Sequence, residues 1–314
     1  MPRVAILDDL HHAWEQTDGV RRMRERAEVT VFTRKVTPAE LQGFDILVAN
    51  RERTTFTREL FQQLPAVKAI VQTGNHANHL DFAAAAEANV VVAQASAGYS
   101  IGAAELVFGL AQAVMRQIPA NDAAVRRGEW PVPSTPVLHG KTLGIVGLGR
   151  VGQHVAGIAR GFGMRVLAWS RSLTPDGAAA AGAERRELDD LLRESDVVTL
   201  HASLSSTSRG LIDARRLGLM KPTAFLVNTA RGPLVDEAAL VTALRERTIA
   251  GAGLDVFDAE PLSKDHPLLA LPNVVLTPHI GWPTDDGYQR FAAVAADVLI
   301  DYLDGKDVPH FEGH

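Results

Sequence analysis

Three polar side chains stand where the sequence passes from apolar runs into turns, and their types suit proton transfer beside a carbonyl or carboxylate. Arg231 follows Val227-Asn228-Thr229-Ala230, Glu260 follows Leu254-Asp255-Val256-Phe257-Asp258-Ala259, and His279 lies within Leu276-Thr277-Pro278-His279-Ile280-Gly281. A guanidinium presents a planar donor fork to a carboxylate or keto oxygen, which lysine does not. An imidazole carries a transferable proton near neutral pH. A carboxylate beside it fixes the tautomer and favours the protonated ring. Each also has a structural reading: an arginine at a helix start, a Glu-Pro turn, a satisfied buried histidine.

A glycine-rich turn upstream links them. Lys141 to Gly152 reads as a buried strand, a turn and a helix start, and Gly147, Gly149 and Gly152 fit G-x-G-x-x-G. The spacing provides a tight turn, a close backbone approach to a pyrophosphate and tight helix-to-strand packing. The helix opening at Arg150 and Val151 offers unpaired N–H groups and a positive dipole end to phosphates. Polar residues where strands end then stand where open α/β sheets place ligands. About twenty residues past the cradle lies the position that reads the ribose. Here the strand ends Leu167-Ala168-Trp169-Ser170-Arg171-Ser172, with no carboxylate before Asp176. An arginine between Ser170 and Ser172 suits a 2′-phosphate, so NADP is favoured over NAD; an ordinary exposed arginine is the other reading.

The elements that must hold these groups are those of an α/β protein. Short Val- and Ile-rich runs alternate with helical stretches, as in parallel sheets with crossover helices. Strands are expected at Val4 to Leu7, Val29 to Phe32, Ile46 to Ala49, Ala69 to Gln72 and Val90 to Ala93, making one small doubly wound domain. Six more begin with the cradle strand and continue at Arg165 to Trp169, Asp196 to Leu200, Ala224 to Asn228, Gly251 to Asp255 and Val274 to Thr277. Between the two sets, Ile101 to Ile118 is apolar on every face, which predicts a buried helix set between domains or, preferably, against another subunit. The last helix, about Asp285 to Asp304 and closed by Gly305, carries an apolar stripe. Its expected partner is the N-terminal domain, which makes that domain discontinuous: 1–98 with 285–314, around a dinucleotide domain at 99–284.

With 314 residues, 46% hydrophobic, the chain is long enough for two cores. A net charge of −5 and pI near 6.1 provide no basic field for nucleic acid or an anionic membrane. Zero cysteines exclude disulfides and thiolate metal sites. The N-terminus lacks a signal-peptide pattern and no apolar run approaches membrane-spanning length, so the expected location is cytoplasmic. His11 with His12, His76 with His79, and His310 with His314 lack the company of a zinc site and read as surface residues. No metal is expected.

The chain resembles the D-isomer-specific 2-hydroxyacid dehydrogenases over nearly its whole length. The resemblance is carried by Gly144-Ile-Val-Gly-Leu-Gly-Arg-Val-Gly152, Asn228-Thr-Ala-Arg-Gly-Pro-Leu-Val-Asp-Glu237, Gly253-Leu-Asp-Val-Phe-Asp-Ala-Glu-Pro261 and Thr277-Pro-His-Ile-Gly281. It implies a Rossmann NAD(P) domain inserted in a flavodoxin-like substrate domain, usually in a homodimer. It further implies Arg231, Glu260 and His279 as a catalytic group between the domains, acting on a small 2-keto or D-2-hydroxy acid. Thr229, Ala230, Asp255, His279 and Gly281 then lie near the cofactor. A turn after the fourth N-terminal strand, Gly74-Asn75-His76, binds substrate together with Arg231. That turn departs from the family's Gly-Val-Gly-like run, which leaves substrate size open; its Asn and His either project toward substrate or cap their own turn. His201-Ala-Ser203 replaces a usual His-x-Pro, and Leu106 stands where a His often follows Glu105.

Two residue groups stay open: Asn50-Arg51-Glu52-Arg53-Thr54, either anion-recognising or a solvated turn, and Trp282, over substrate or in an interface. The alternatives to a keto-acid reductase are a formate- or phosphite-type dehydrogenase and a corepressor-like reader of NAD(H).

Overall fold

The computed structural model describes residues 1–74, 77–98 and 100–311. The chain forms two compact units, Met1–Tyr99 with Pro283–His314, and Ser100–Trp282. Both are α/β.

In the first unit the strands are β1 (Arg3–Ile6), β2 (Glu28–Val31), β3 (Ile46–Ala49), β4 (Ala69–Thr73) and β5 (Val91–Ala95), with helices α1 (Asp18–Arg24), α2 (Arg58–Gln63) and α3 (Phe82–Glu87) between them. All pair in parallel in the order β2-β1-β3-β4-β5, the flavodoxin-like doubly wound arrangement. Such strands are covered on both faces, which is why they read as continuous Val, Ile, Leu and Ala rather than alternating with polar residues. Leu47 and Ile70 from the sheet meet Phe56 and Phe61 in the core.

The second unit begins with α4 (Ile101–Met115) and α5 (Ile118–Arg126). There follow β6 (Thr142–Val146), α6 (Arg150–Gly161), β7 (Arg165–Trp169), α7 (Pro175–Ala180), β8 (Glu184–Arg185), α8 (Leu188–Glu194) and β9 (Val197–Leu200). The unit closes with α9 (Ala214–Leu217), β10 (Phe225–Asn228), α10 (Glu237–Arg245), β11 (Gly251–Leu254) and β12 (Val274–Leu276). Its parallel sheet has the order β12-β11-β10-β9-β6-β7-β8. Counted from β6, that is the 3-2-1-4-5-6 Rossmann order with a seventh strand added, and the order reverses between β6 and β9.

Two expectations are corrected here. The sheet has seven strands rather than six, because the two-residue β8 is an edge strand of Glu184 and Arg185 whose composition carries no apolar signal. The apolar stretch from Ile101 is not one helix: Gln117 takes a left-handed φ of 53° and separates α4 from α5. Its apolar residues are also not reserved for another subunit. Ala104, Val107, Leu110, Ala111 and Val114 are buried against β10, β11 and α6 of the same unit.

The last helix, α11 (Asp285–Leu303), is capped by Thr284, whose hydroxyl accepts from Gly287 N–H. Gly305 beyond it has a φ of 72°. Tyr288, Phe291, Ala295, Val298 and Leu299 are buried, and the helix packs on α1, β4 and β5 of the first unit. No helix among the described residues is long and apolar enough to cross a membrane.

Register determines where the second unit exposes its chain ends. Trp169 pairs with Val146, Val146 with Leu200, Leu200 with Asn228, Asn228 with Leu254, and Leu254 with Leu276. Six strands therefore release the chain along one straight row, at about 4.8 Å per strand.

Helix α4 sits close on this sheet because Gly251 and Gly253 have no side chain; a Cβ on Gly251 would come within 3.0 Å of Val114 Cγ2. A Cβ on Gly253 would stand 2.8 Å from the Leu110 Cβ of α4. Gly253→Ala is expected to force α4 off the sheet and cost about 1–3 kcal/mol of stability, read as a lower urea midpoint at unchanged m-value; an unchanged or raised midpoint contradicts the packing.

Candidate active site

One residue beyond that row come Ser170, Gly147, His201, Thr229, Asp255 and Thr277, so every sequence-derived site position in this unit leaves the same edge of the sheet. Gly147 has a φ of 104°, and a Cβ there would lie 2.5 Å from Ala202 N. Around Gly149 a Cβ would meet nothing within 4 Å, leaving room for a ligand's approach, whereas at Gly152 it would come within 2.3 Å of Gly147 O. Gly149 caps α6 without a side-chain hydrogen bond, and the helix's first turn holds Arg150 and no acidic residue. A cation there opposes the helix dipole, an arrangement that an anion would relieve.

The loop after β7, where the sequence places the ribose-reading position, is tied to the same turn. Ser170 Oγ accepts from Leu148 N–H at 2.7 Å, tying the loop after β7 to the glycine turn. Arg171 Nη1 donates to Thr207 Oγ1 at 2.8 Å. With Gly149, Ser172 and His201 these residues line a cavity of about 260 Å³ whose lining contains no carboxylate. Two polar atoms at this edge are buried without a hydrogen-bond partner, His201 Nδ1 and Thr229 Oγ1. Burial pushes His201 down to about 3, so its ring is neutral; Thr199 Oγ1 lies 2.9 Å from the other ring nitrogen. An open second glycine, an uncapped helix start and unpartnered buried atoms fit a dinucleotide.

Farther along the row stand His279, Glu260 and Arg231. His279 Nδ1 lies 2.8 Å from Glu260 Oε2, and the other carboxylate oxygen accepts from Phe257 N–H at 2.9 Å. Burial works against the charge of Glu260. The hydrogen bonds from His279 and Phe257 and the charges of His279 and Arg231 outweigh it, and its carboxyl lies below the ordinary carboxylate value. Glu260–Pro261 is a cis peptide. Arg231 precedes the short turn Gly232–Leu234 and donates from Nη1 to Ala230 O at 2.7 Å. Arg231, Glu260 and His279 are thus brought together on one unit.

The loops that carry them are braced by buried polar side chains whose bracing sequence reasoning missed. Asn228 donates to Arg231 O at 2.9 Å and accepts from Ala230 N–H at 3.0 Å. Asp255, fully buried, accepts from Thr277 Oγ1 at 2.5 Å and from the N–H groups of Ile280 and Gly281 at 2.8 Å each. Both oxygens of Asp255 therefore hold the His279 loop. The only sequence signals were an Asn and an Asp as the last residue of one strand and the first beyond another.

In the first unit Gly74 has a φ of 94° and donates to Ala95 O at 3.1 Å. The buried Gln72 amide donates to Arg51 O and Thr73 O at 2.9 Å each, and His79 Nε2 lies 3.0 Å from its oxygen. His79 is therefore half-buried and bonded rather than a surface residue. Asn75 and His76 lie outside the described residues. Of the charged turn, Arg53 donates to Asp8 O at 2.6 Å and approaches His11 Nδ1 at 3.1 Å, and Arg51 lies over the Phe291 ring at 6.0 Å. Among the described residues no cluster of His, Asp or Glu could hold a metal ion.

Comparison with known proteins agrees with this geometry. Residues 108–281 match the family described as D-isomer specific 2-hydroxyacid dehydrogenase, NAD binding domain. The chain is 41% identical over 261 residues to a glyoxylate reductase of Aeropyrum pernix, covering 80% of this chain and 78% of that protein. It is 36% identical over 312 residues to a D-3-phosphoglycerate dehydrogenase of Methanocaldococcus jannaschii, covering 98% of this chain but only 58% of the longer relative. A solved phosphoglycerate oxidoreductase from Vibrio cholerae superposes with a TM-score of 0.87 at 31% identity, over 97% of this chain and 100% of that one. The chain belongs to the D-isomer-specific 2-hydroxyacid dehydrogenases, NAD(P)-dependent oxidoreductases acting on CH–OH groups.

Proposed function

We propose that this chain reduces a small 2-keto acid to the D-2-hydroxy acid with NADPH, with His279 as the acid, Glu260 as its partner and Arg231 as the anion-binding group. The observation that carries the reading is the His279–Glu260 contact of 2.8 Å on the sheet edge that also bears the glycine cradle. Relatives named glyoxylate reductase and phosphoglycerate dehydrogenase favour a hydroxyacid over formate, phosphite or a redox-sensing role.

Reduced nicotinamide supplies the hydride to the keto carbon when bound. The chain's own residues handle everything else. Negative charge grows on the keto oxygen, and Nε2 of His279, opposite the nitrogen tied to Glu260, delivers the proton there. Glu260 stays ionised because its hydrogen bonds outweigh its burial, so it holds the ring's Nδ1–H and stabilises the imidazolium before transfer. Arg231 binds the substrate's carboxylate or keto oxygen through its donor fork. In the oxidative direction the same imidazole takes the proton back.

The NADPH preference is supported by Arg171, held by Thr207 in a cavity whose lining carries no carboxylate to read a free 2′-hydroxyl. The homodimer is supported by the segment between α5 and β6. Trp130 and Val132 are 82% and 84% exposed there, neighbouring apolar side chains that a subunit contact would cover.

Three outcomes test these assignments. His279→Ala is expected to lower kcat for glyoxylate or hydroxypyruvate by roughly 10²–10⁴-fold with NADPH affinity retained; near-normal turnover removes His279 from the mechanism. Arg171→Ala should lower kcat/KM for NADPH by about tenfold or more while leaving NADH nearly unchanged, and equal losses with both cofactors refute the 2′-phosphate reading. In sedimentation, the wild type should run at twice the chain mass and Trp130→Glu at a larger monomer fraction; a monomeric wild type refutes the dimer.

A further inference from the structure

We infer that Glu237, with His266, is a positioning clamp that sets the Glu260 segment against the Arg231 turn, and so sets the His279–Glu260 pair. The inference rests on the catalytic assignment above and adds two residues to it.

Arg231 and Glu237 lie on one stretch of chain, the turn after β10 and the first residue of α10. Glu260 and His266 lie on another, the segment after β11. The two touch backbone to backbone: a Cβ on Gly232 would fall 2.0 Å from the Phe257 carbonyl carbon. Contact of that kind fixes separation but not slide or tilt. Glu237 supplies the rest. Its Oε2 accepts from Asp258 N–H at 3.2 Å, two residues before Glu260, and its Oε1 lies 2.9 Å from His266 Nε2, six residues after. One carboxylate therefore grips the segment on both sides of the residue that holds the catalytic imidazole.

The protonation pattern of His266 is determined by its second contact. Nδ1 accepts from Leu268 N–H at 3.3 Å, capping the short helix Pro267–Ala270, so the ring proton is on Nε2 and points at Glu237. Both side chains are largely shielded, 17% and 23% exposed, which makes the pair less screened than a surface ion pair. The arrangement has an internal cost: burial and the neighbouring Glu237 charge raise the Asp258 carboxyl, with Arg209 and His266 opposing. A negative side chain is held there despite that cost because its two oxygens serve two donors.

Displacement of a catalytic group by a fraction of an ångström lowers turnover without touching cofactor binding. The test compares Glu237→Ala, Glu237→Gln and His266→Asn in steady-state reduction of glyoxylate by NADPH, with melting temperatures and NADPH dissociation constants measured in parallel. His266→Asn keeps a short acceptor beside Leu268 N–H but cannot reach Glu237, so it separates the clamp from the cap. Glu237→Ala and His266→Asn are expected to lower kcat about tenfold with NADPH affinity within about twofold of wild type, and Glu237→Gln, retaining one acceptor, to recover part of the loss. Lower melting temperature with wild-type kcat in the folded enzyme overturns the clamp and leaves a structural bond only. His279→Ala is run beside them: if it is inactive while the Glu237 and His266 variants are normal, the clamp alone fails. If His279→Ala turns over normally, the catalytic assignment fails and the clamp with it.

Discussion

The second unit is governed by the parallel register that ends six strands on one row. Parallel pairing fixes which residues are level, and here Trp169, Val146, Leu200, Asn228, Leu254 and Leu276 are. The next residue on each strand is necessarily a chain exit, and the polarity that a buried sheet excludes returns there. The loop after β7, the glycine turn after β6, Arg231 after β10, and Glu260 and His279 after β11 and β12 follow one another along that edge. Cradle and proton-transfer groups are two to four strand widths apart, about 10–20 Å. A slip of one residue in any pair would turn buried side chains to the wrong face and move its exit.

A row of exits places residues only as well as the loops are held. The holding is done by buried or half-buried side chains whose oxygens accept from backbone N–H groups. Asp255 binds the His279 loop, Asn228 binds the Arg231 turn, and Glu237 grips the segment around Glu260. Each bond adds about 1 kcal/mol of net stability, and removing the acceptor of the buried Gly281 N–H would leave that donor unsatisfied at about 1–3 kcal/mol. Such braces act as constraints on geometry as well as stabilisers, since apolar contacts such as those of Leu234 and Phe257 hold the loops down without fixing where their polar groups point. Glu260 belongs to the same logic: hydrogen bonds strong enough to outweigh its burial also hold it at Nδ1 of the imidazole.

Much of this was legible in the residues. Val- and Ile-rich runs located nearly every strand because both faces of a parallel sheet are covered, and the glycine spacing located the cradle because backbone contacts such as Gly152 against Gly147 O admit no side chain. Glu184-Arg185 escaped because an edge strand of two polar residues has no periodicity to read. The end of α4 escaped because Gln117 adopts a left-handed conformation without being glycine or asparagine. Partners of buried polar groups were least legible: Asp255 to Gly281 and Glu237 to His266 span 26 and 29 residues, and nothing local announces which oxygen meets which donor. Most of the apolar surface of α4, expected between domains or, preferably, against another subunit, packs on its own sheet and α6, while Ile101 stays exposed, a division that composition cannot draw.

In the proposed mechanism the negative charge of Glu260, rather than its shape, is what lets His279 serve as the acid. Glu260→Gln removes the charge while its single amide oxygen can still accept from Nδ1–H, at the loss of the acceptor for Phe257 N–H. The account predicts that kcat for glyoxylate reduction falls by roughly 10²-fold at neutral pH with NADPH affinity unchanged. A variant that turns over like wild type across the neutral range contradicts it.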